Sequence, residues 1–414
     1  MDETQFDLIA TSTFGLEAVV ARELEGLGYG AKITQTGRVE FRGDALAVAR
    51  TNLWLRTADR VQICVGRYAA ADFEALFDGV YALPWQQWIA RDAEFPVAGR
   101  SVKSSLTSVP ALQRAVKKAI VEKLRSAYHT TTLPETGARV AVEVSLLEDV
   151  ATLTIDTSGD GLHKRGYRDL TGAAPLRETL AAGLVLLSFW RRDRPLIDPF
   201  CGSGTICIEA AMIGRNIAPG LQRSFAAEAW PTLDGEAWGL ALEEARDARL
   251  TPLTERILGN DIEEVELSMA RRHAARAGVE EDIHFQRRPF AELASSRSYG
   301  CVVTNPPYGV RLEQHRDVRA LYESIPRVFA GLPTWSFFVL TSWPDFERVV
   351  GRRAERRRKL YNAQIECTYF QFHGPRPPRP VRARTDDDAG SADSADGDVG
   401  DGVDVRADDV DSAT

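Results

Sequence analysis

Apolar residues along this chain recur with two periods, every second position and about every 3.6 positions, and the two alternate from residue 5 to about residue 373. Phe6-Asp7-Leu8-Ile9-Ala10 predicts a strand, and Leu16, Val19, Val20, Leu24 and Leu27 then recur at helical spacing until Gly28 stops the run. Arg38-Val39-Glu40-Phe41 alternates as a half-buried strand does, and residues 44–54 read as a helix, so residues 1–60 predict a small α+β unit. A second α+β unit follows over 61–160, with a helix whose apolar stripe is Leu112, Val116, Ala119, Ile120 and Leu124 and with closing strands at 140–146 and 151–155. From 161 to 374 strands and helices alternate strictly, the pattern of a parallel sheet covered by helices. Strands are expected near 195–198, 256–260, 283–286, 301–304 and 336–341, with an edge strand at 365–372. Helices are expected at 205–213, 263–277, 318–329 and 345–353, preceded by one striped with Leu176, Leu180, Leu184 and Leu187.

Charge changes this picture in one place. The formal charge of −8 over 414 residues is concentrated at the end, where residues 385–414 hold eleven Asp and one Arg, leaving the remainder at +2. That tail, residues 375–414 in all, is rich in Asp, Gly and Ser and cannot bury enough apolar surface to fold. A near-neutral body with clustered Arg and Lys is compatible with nucleic acid, which the whole-chain charge conceals. Arg114, Lys117, Lys118, Lys123 and Arg125 line the polar face of the helix in the second unit, beside the small and hydroxylated residues 96–105. Charge alone reads there as a solvated face; with those neighbours it also matches a phosphate-contacting surface. A second cluster, Arg352, Arg353, Arg356, Arg357, Arg358 and Lys359, is equally open to a solvated run or an RNA contact. Five cysteines without a C-x-x-C pair point to a reducing cytosol and no zinc site. The longest apolar run, 180–190, is far below the ~20 residues that span a bilayer, so no membrane partner is expected.

Three stretches hold candidate chemistry. In the first, D-P-F-C-G-S-G-T (198–205), glycines at 202 and 204 let the backbone approach a ligand at a helix N-terminus. Neither a third glycine at dinucleotide spacing nor a G-K-[ST] follows, which weakens the dinucleotide and P-loop readings. In the second, N-D-I (260–262), Asp261 ends a strand, placed either to accept from two ribose hydroxyls or to cap the next helix. It stands 57 residues after Gly204 because a Trp- and Pro-containing stretch, 214–252, is inserted. The third is N-P-P-Y-G (305–309), where two prolines forbid both helix and ladder after the strand 301–304. The Asn305 amide oxygen and the Pro306 carbonyl can then face one spot in the crevice beyond the strand ends, a pair of acceptors suited to an exocyclic amine. Pro307 and Tyr308 complete the loop, with the Tyr308 ring as a surface for a base to stack on.

With these motifs in order, the chain resembles the S-adenosylmethionine-dependent RNA guanine-N2 methyltransferases that carry an N-terminal THUMP domain, and among them the bacterial RlmL-type enzymes of 23S ribosomal RNA. H-K-R-G-Y-R (163–168), A-P-L-R-E-T-L-A-A (174–182), D-P-F-C-G-S-G-T-I-C-I-E-A-A (198–211), N-I-A-P-G-L (216–221), N-P-P-Y-G-V-R-L (305–312) and R-K-L-Y-N (358–362) are the segments that bear the likeness. The resemblance implies an α/β fold: a C-terminal Rossmann-like seven-stranded methyltransferase domain with its last strand antiparallel, over 161–374, preceded by α+β ferredoxin-like (1–60) and THUMP RNA-binding (61–160) units. It implies that Asp198, Phe200, Gly202 and Gly204 line the methionine side of the cofactor, that Asp261 holds its ribose, and that Pro175 and Thr179 flank it. The family has an acidic residue after the third strand near the adenine amino group. Pro289 stands there in this chain, leaving Arg288, Glu292 or backbone alone to hold the adenine.

The implied reaction transfers a methyl group to the N2 amine of a guanosine, with Asn305, Pro306, Pro307 and Tyr308 as the catalytic loop and no metal. The amine's lone pair is delocalised into the ring. Hydrogen bonds from its N–H groups to the Asn305 side chain and the Pro306 carbonyl favour a pyramidal nitrogen, and positioning replaces a strong base. The flipped base stacks on Tyr308. A tRNA guanine-N2 methyltransferase of the same architecture is the nearest alternative, and a non-catalytic RNA-binding or ribosome assembly factor the alternative from another class. All three readings place the protein in the cytoplasm.

Overall fold

The structure, a computed structural model, describes residues 5–169, 176–233, 235–307 and 315–378. In the N-terminal half, strands β1 (Phe6–Ser12), β2 (Ala31–Gln35), β3 (Arg38–Gly43), β4 (Ala58–Ala69), β5 (Val97–Val102), β6 (Ala141–Leu147) and β7 (Val150–Asp156) form one sheet. Their order is β2-β3-β1-β4-β7-β6-β5, antiparallel throughout except for the β5–β6 pair. The twelve-residue strand β4 pairs with β1 through Ala58 to Ile63 and with β7 through Gln62 to Ala69. It therefore runs across residue 60, and the two α+β units share a single sheet.

Period-two alternation puts Leu8, Ala10, Val39, Phe41, Val61 and Ile63 on one face, where helices Glu17–Gly26, Ala45–Trp54, Phe73–Ala82 and Val109–Ala127 cover them. Asp44 and Asp72 start two of these helices by accepting from Ala47 N and Ala75 N, each at 2.8 Å. Lys117, on the basic face that reads as solvated or as phosphate-contacting, is half-buried and held within the unit. Its ammonium lies 3.3 Å from the Phe95 ring centroid and 2.8 Å from Glu135.

In the C-terminal half, β8 (Leu196–Asp198), β9 (Ile257–Asp261), β10 (Ile283–Arg287), β11 (Cys301–Thr304), β12 (Ser336–Thr341), β13 (Arg356–Asn362) and β14 (Ile365–Phe372) form the second seven-stranded sheet. The order is β10-β9-β8-β11-β12-β14-β13, with β14 antiparallel to both neighbours. Apolar residues on both faces of every central strand, such as Val302 and Val303 of β11, bury against helices on each side, as a parallel sheet requires. The sequence reading of 365–372 as the edge strand is corrected. Arg356–Asn362 forms the edge, and β14 lies inside it, because Leu360 on β13 supplies a buried anchor that the surrounding arginines concealed. Residues 318–329, read as one helix, are two, His315–Glu323 and Ile325–Ala330, with Pro326 in the first turn of the second.

The two halves meet at several places: Leu16 and Val19 pack into the C-terminal core, and two further joins come from stretches that the sequence placed elsewhere. The inserted stretch folds into helix Gly235–Asp247, and Phe225, Trp230, Leu233 and Trp238 enter the core of the N-terminal sheet rather than that of the C-terminal one. Glu244 on this helix pairs with Arg50, and the Trp230 indole donates to the Arg139 carbonyl at 2.9 Å. The segment 162–168, read as a basic linker, is also largely internal. Arg165 is 2% exposed and pairs at 3.3 Å with Glu209, which is fully buried and also accepts from Tyr167 Oη at 3.1 Å. The same guanidinium donates to the carbonyls of Leu162 (2.7 Å) and Arg56 (2.5 Å), so one cation ties the N-terminal unit to the helix Thr205–Gly214.

Removing one partner of such a pair leaves a buried charge without compensation. Glu209→Ala is expected to lower unfolding stability by about 3–5 kcal/mol in urea titrations, and Glu209→Gln by less, since the amide oxygen still accepts.

Candidate active site

The carboxyl ends of β8, β9 and β11 open into a cavity of about 570 Å³. It lies where strand order reverses between β8 and β11, the crevice in which open α/β sheets bind ligands. Residues Asp198 to Ser203 form one wall. Gly202 and Gly204 adopt φ of +48° and +85°, and a Cβ on Gly204 would stand 2.9 Å from Phe285 and 3.0 Å from Ala270. The first glycine borders the cavity. The second does not; it sets the turn that starts helix Thr205–Gly214.

Four acids, Asp198, Asp261, Glu263 and Glu266, line this cavity, and among its described lining residues there is no Lys, Arg or His. A nucleotide polyphosphate would meet only like charge there, whereas a cationic nucleoside without phosphates fits. Asp261 ends β9 and accepts from Gly202 N at 2.9 Å through Oδ2 and from Glu263 N at 3.0 Å through Oδ1. Both oxygens are thereby aimed, and the glycine turn is tied to the end of β9. Burial, then the charges of Asp261 and Glu263, raise the Glu266 carboxyl above its ordinary value.

Asp198 is buried to 1% exposure and accepts from Thr304 Oγ1 at 2.6 Å and Phe200 N at 3.1 Å. Burial pushes its pKa up to about 7; Asp261 adds to the rise, and the two hydrogen bonds oppose it. Thr304 is the last residue of β11, so this bond links the wall at β8 to the loop that follows β11.

That loop begins with Asn305, whose Oδ1 is buried and has no hydrogen-bond partner among the described residues. Such an oxygen costs about 1–3 kcal/mol unless a ligand donates to it. Asn305 and Pro307 border the cavity; Pro306 between them is buried and does not. Tyr308 and Pro175 lie outside the described residues. Thr179 is buried in helix Glu178–Leu187 away from the cavity, which is reached from that side by Leu176.

The cavity is also lined by the apolar residues Phe200, Ile262, Pro289, Phe290 and Ala291, and the Phe200 and Phe290 rings stack with centroids 4.9 Å apart. Arg288 and Glu292, named from the sequence as substitutes for the acid absent at Pro289, do not border it among the described residues. Ile262, Glu263, Glu266 and Leu176 escaped the sequence reading. Ile262 had a usable signal, an apolar residue directly after the strand-terminal acid, left 55% exposed at the rim. Arg168 was legible only as part of a basic run. In the fold it pairs with Glu178 at 3.2 Å and donates to Thr205 Oγ1, holding the two helices that flank the cavity together.

Three family profiles match the chain: an RlmL ferredoxin-like domain over residues 7–62, a THUMP domain over 70–156, and an RMKL-like methyltransferase domain over 165–371. The putative RNA methyltransferase YpsC of Bacillus subtilis is 46% identical over 92% of this chain and 99% of its own length. The ribosomal RNA large subunit methyltransferase K/L of Methylococcus capsulatus is 37% identical over 88% of this chain, which spans 51% of that longer protein. A crystal structure of the putative methyltransferase SMU.472 complexed with SAH superposes with a TM-score of 0.85 at 43% identity, covering 91% of this chain and all of the other.

Asp198 makes stability fall as pH rises. Between its ordinary value of 3.8 and about 7 the folded chain keeps a proton that the unfolded chain has released, so folding weakens across that window and the slope vanishes above it. Asp198→Asn removes this group, and melting curves are expected to show the variant gaining on the unaltered protein from pH 4 to 7 with no further gain by pH 8.

Proposed function

Because the chain belongs to the RlmL-like methyltransferase family, in which ferredoxin-like and THUMP domains precede an RMKL-like methyltransferase domain, we propose that it methylates the exocyclic N2 amine of a guanosine in RNA, with 23S ribosomal RNA as the substrate. The observation that carries this reading is the Asn305 amide oxygen: buried, without a hydrogen-bond partner among the described residues, and carried by a residue that lines the same cavity as the four acids. S-adenosylmethionine, when bound, supplies an electrophilic methyl group on a sulfonium.

The residues present suit that cofactor. Asp198 offers a carboxylate to a cationic methionine end, Gly202 leaves the turn open beside it, and Asp261 with Glu263 and Glu266 faces the place for ribose hydroxyls. Ile262 and Phe290 offer apolar surface to the adenine, and since Arg288 and Glu292 are not among the cavity's described lining residues, its edge is left to the backbone of 289–291. At the other end, the Asn305 amide oxygen is the acceptor for one N–H of the target amine; the Pro306 carbonyl, which does not border the cavity among the described residues, is the loop's acceptor for the second once the base is bound. Two such bonds would turn the nitrogen lone pair out of conjugation. No side chain in the loop 305–307 is a base, so rate comes from aim and electrostatics.

The RNA reading is supported by the THUMP match and by the relatives' names, and the ribosomal one by the K/L enzyme of Methylococcus capsulatus. Mapping N2-methylguanosine in ribosomal and transfer RNA from a deletion strain tests it. A single unmethylated guanosine in 23S RNA is expected; loss at a tRNA position instead would move the substrate, and loss at neither would end the reading. Asn305→Ala is expected to lower methyl incorporation by ~10²-fold or more while leaving S-adenosylmethionine and RNA affinities within twofold, as measured by calorimetry and filter binding.

A further inference from the structure

Two successive prolines give the loop after β11 its direction but deprive it of N–H donors at 306 and 307, so its carbonyls depend on donors from outside. One such donor is Tyr322, on the helix His315–Glu323, whose Oη lies 3.0 Å from the Pro307 carbonyl oxygen. Tyr322 is fully buried, with the Trp343 ring packed edge-on at 5.3 Å and the Phe346 ring at 5.5 Å. The same Oη lies 2.9 Å from Thr341 Oγ1, at the carboxyl end of β12, and Thr341 Oγ1 in turn accepts from the Trp343 backbone N–H at 3.1 Å.

The three described bonds fix the direction of the protons between them. The Pro307 carbonyl can only accept, so the phenolic proton of Tyr322 goes to it. Tyr322 Oη must then accept from Thr341, whose hydroxyl is left free to donate because it accepts from the Trp343 amide. The result is a directed chain, Trp343 N–H to Thr341 O–H to Tyr322 O–H to the Pro307 carbonyl, running from the end of one central strand to the loop that ends its neighbour. Each bond polarises the next, so the last donor is stronger than an isolated phenol.

We propose that Tyr322, backed by Thr341, is the positioning residue that aims the loop 305–307 at the target amine. It touches neither base nor cofactor and acts through Pro307. The inference rests on the methyltransferase reading above and deepens it, naming the part that steadies the loop beside Asn305 where residues 306 and 307 have no backbone N–H. A side chain that merely filled the core would serve as well with a phenyl ring, since Phe lacks only the hydroxyl.

The test compares Tyr322→Phe, Thr341→Val and Thr341→Ser in the full chain, with ribosomal RNA from a deletion strain as substrate. Tyr322→Phe is expected to lower kcat about tenfold, with KM for RNA, calorimetric affinity for S-adenosylmethionine and melting temperature close to the unaltered protein. Thr341→Val is expected to lower kcat in the same way, Thr341→Ser to restore it, and the double variant Tyr322→Phe/Thr341→Val to fall no further than the worse single one. Unchanged kcat in Tyr322→Phe, a parallel loss of cofactor affinity, or a serine variant as poor as valine would overturn the proposal. A crystal structure of Tyr322→Phe adds a readout independent of substrate: the Pro307 carbonyl turned and the Asn305 amide displaced support it, and an unmoved loop refutes it. Failure of the guanine-N2 reading would look different, because the unaltered protein itself would then leave that RNA unmethylated.

Discussion

A β-strand cannot run through two prolines, and that prohibition organises the catalytic half of this protein. Strand β11 sits at the centre of a sheet buried on both faces, paired with β8 through Val302 and with β12 through Thr304. At the next residue pairing stops, and acceptors that a sheet would have consumed are left at the crevice. The neighbouring strands hold that discontinuity in place. Thr304 leans on Asp198 of β8, and Thr341 of β12 reaches the loop through Tyr322. The loop is thus braced from both adjacent strands, one on the cofactor side and one on the far side, although it can make no ladder of its own.

Electrostatics follow the same geometry. An acid buried at the end of β8, with no cation among the cavity's described lining residues, keeps its proton to higher pH than usual, and an arriving positive charge would favour its ionised form. Three further acids repeat that bias along the cavity. The preference is for a charged small molecule over a phosphorylated one, and it arises from where the strands end, not from one dedicated binding residue.

Much of this was legible in the sequence, for physical reasons that differ from residue to residue. The double proline, the two glycines and the strand-terminal Asp261 are local: each restricts its own backbone, so spacing alone reveals it. Pro306, Gly204 and Thr179 belong to the motif but do not border the cavity, because a sequence motif records what a turn needs as well as what a ligand touches. Residues that act at a distance in the chain left no such mark. Tyr322 lies in an ordinary amphipathic helix, Glu266 one turn into another, and the Arg165–Glu209 pair joins positions 44 apart. The basic clusters misled in the opposite sense. Lys117 and Arg165 are charges that a sequence places in solvent by default, yet each is held by an acid and by carbonyls within the fold.

The strand β4 has one further consequence. Similarity divides the N-terminal half into two modules between residues 62 and 70, and β4 occupies most of that interval. Cutting the chain there would tear a continuous ladder and bare the flanks of β1 and β7, each a row of unmet donors and acceptors ready to recruit another polypeptide. The modules that homology counts separately therefore share one strand, and a boundary drawn between them falls inside the sheet that both build.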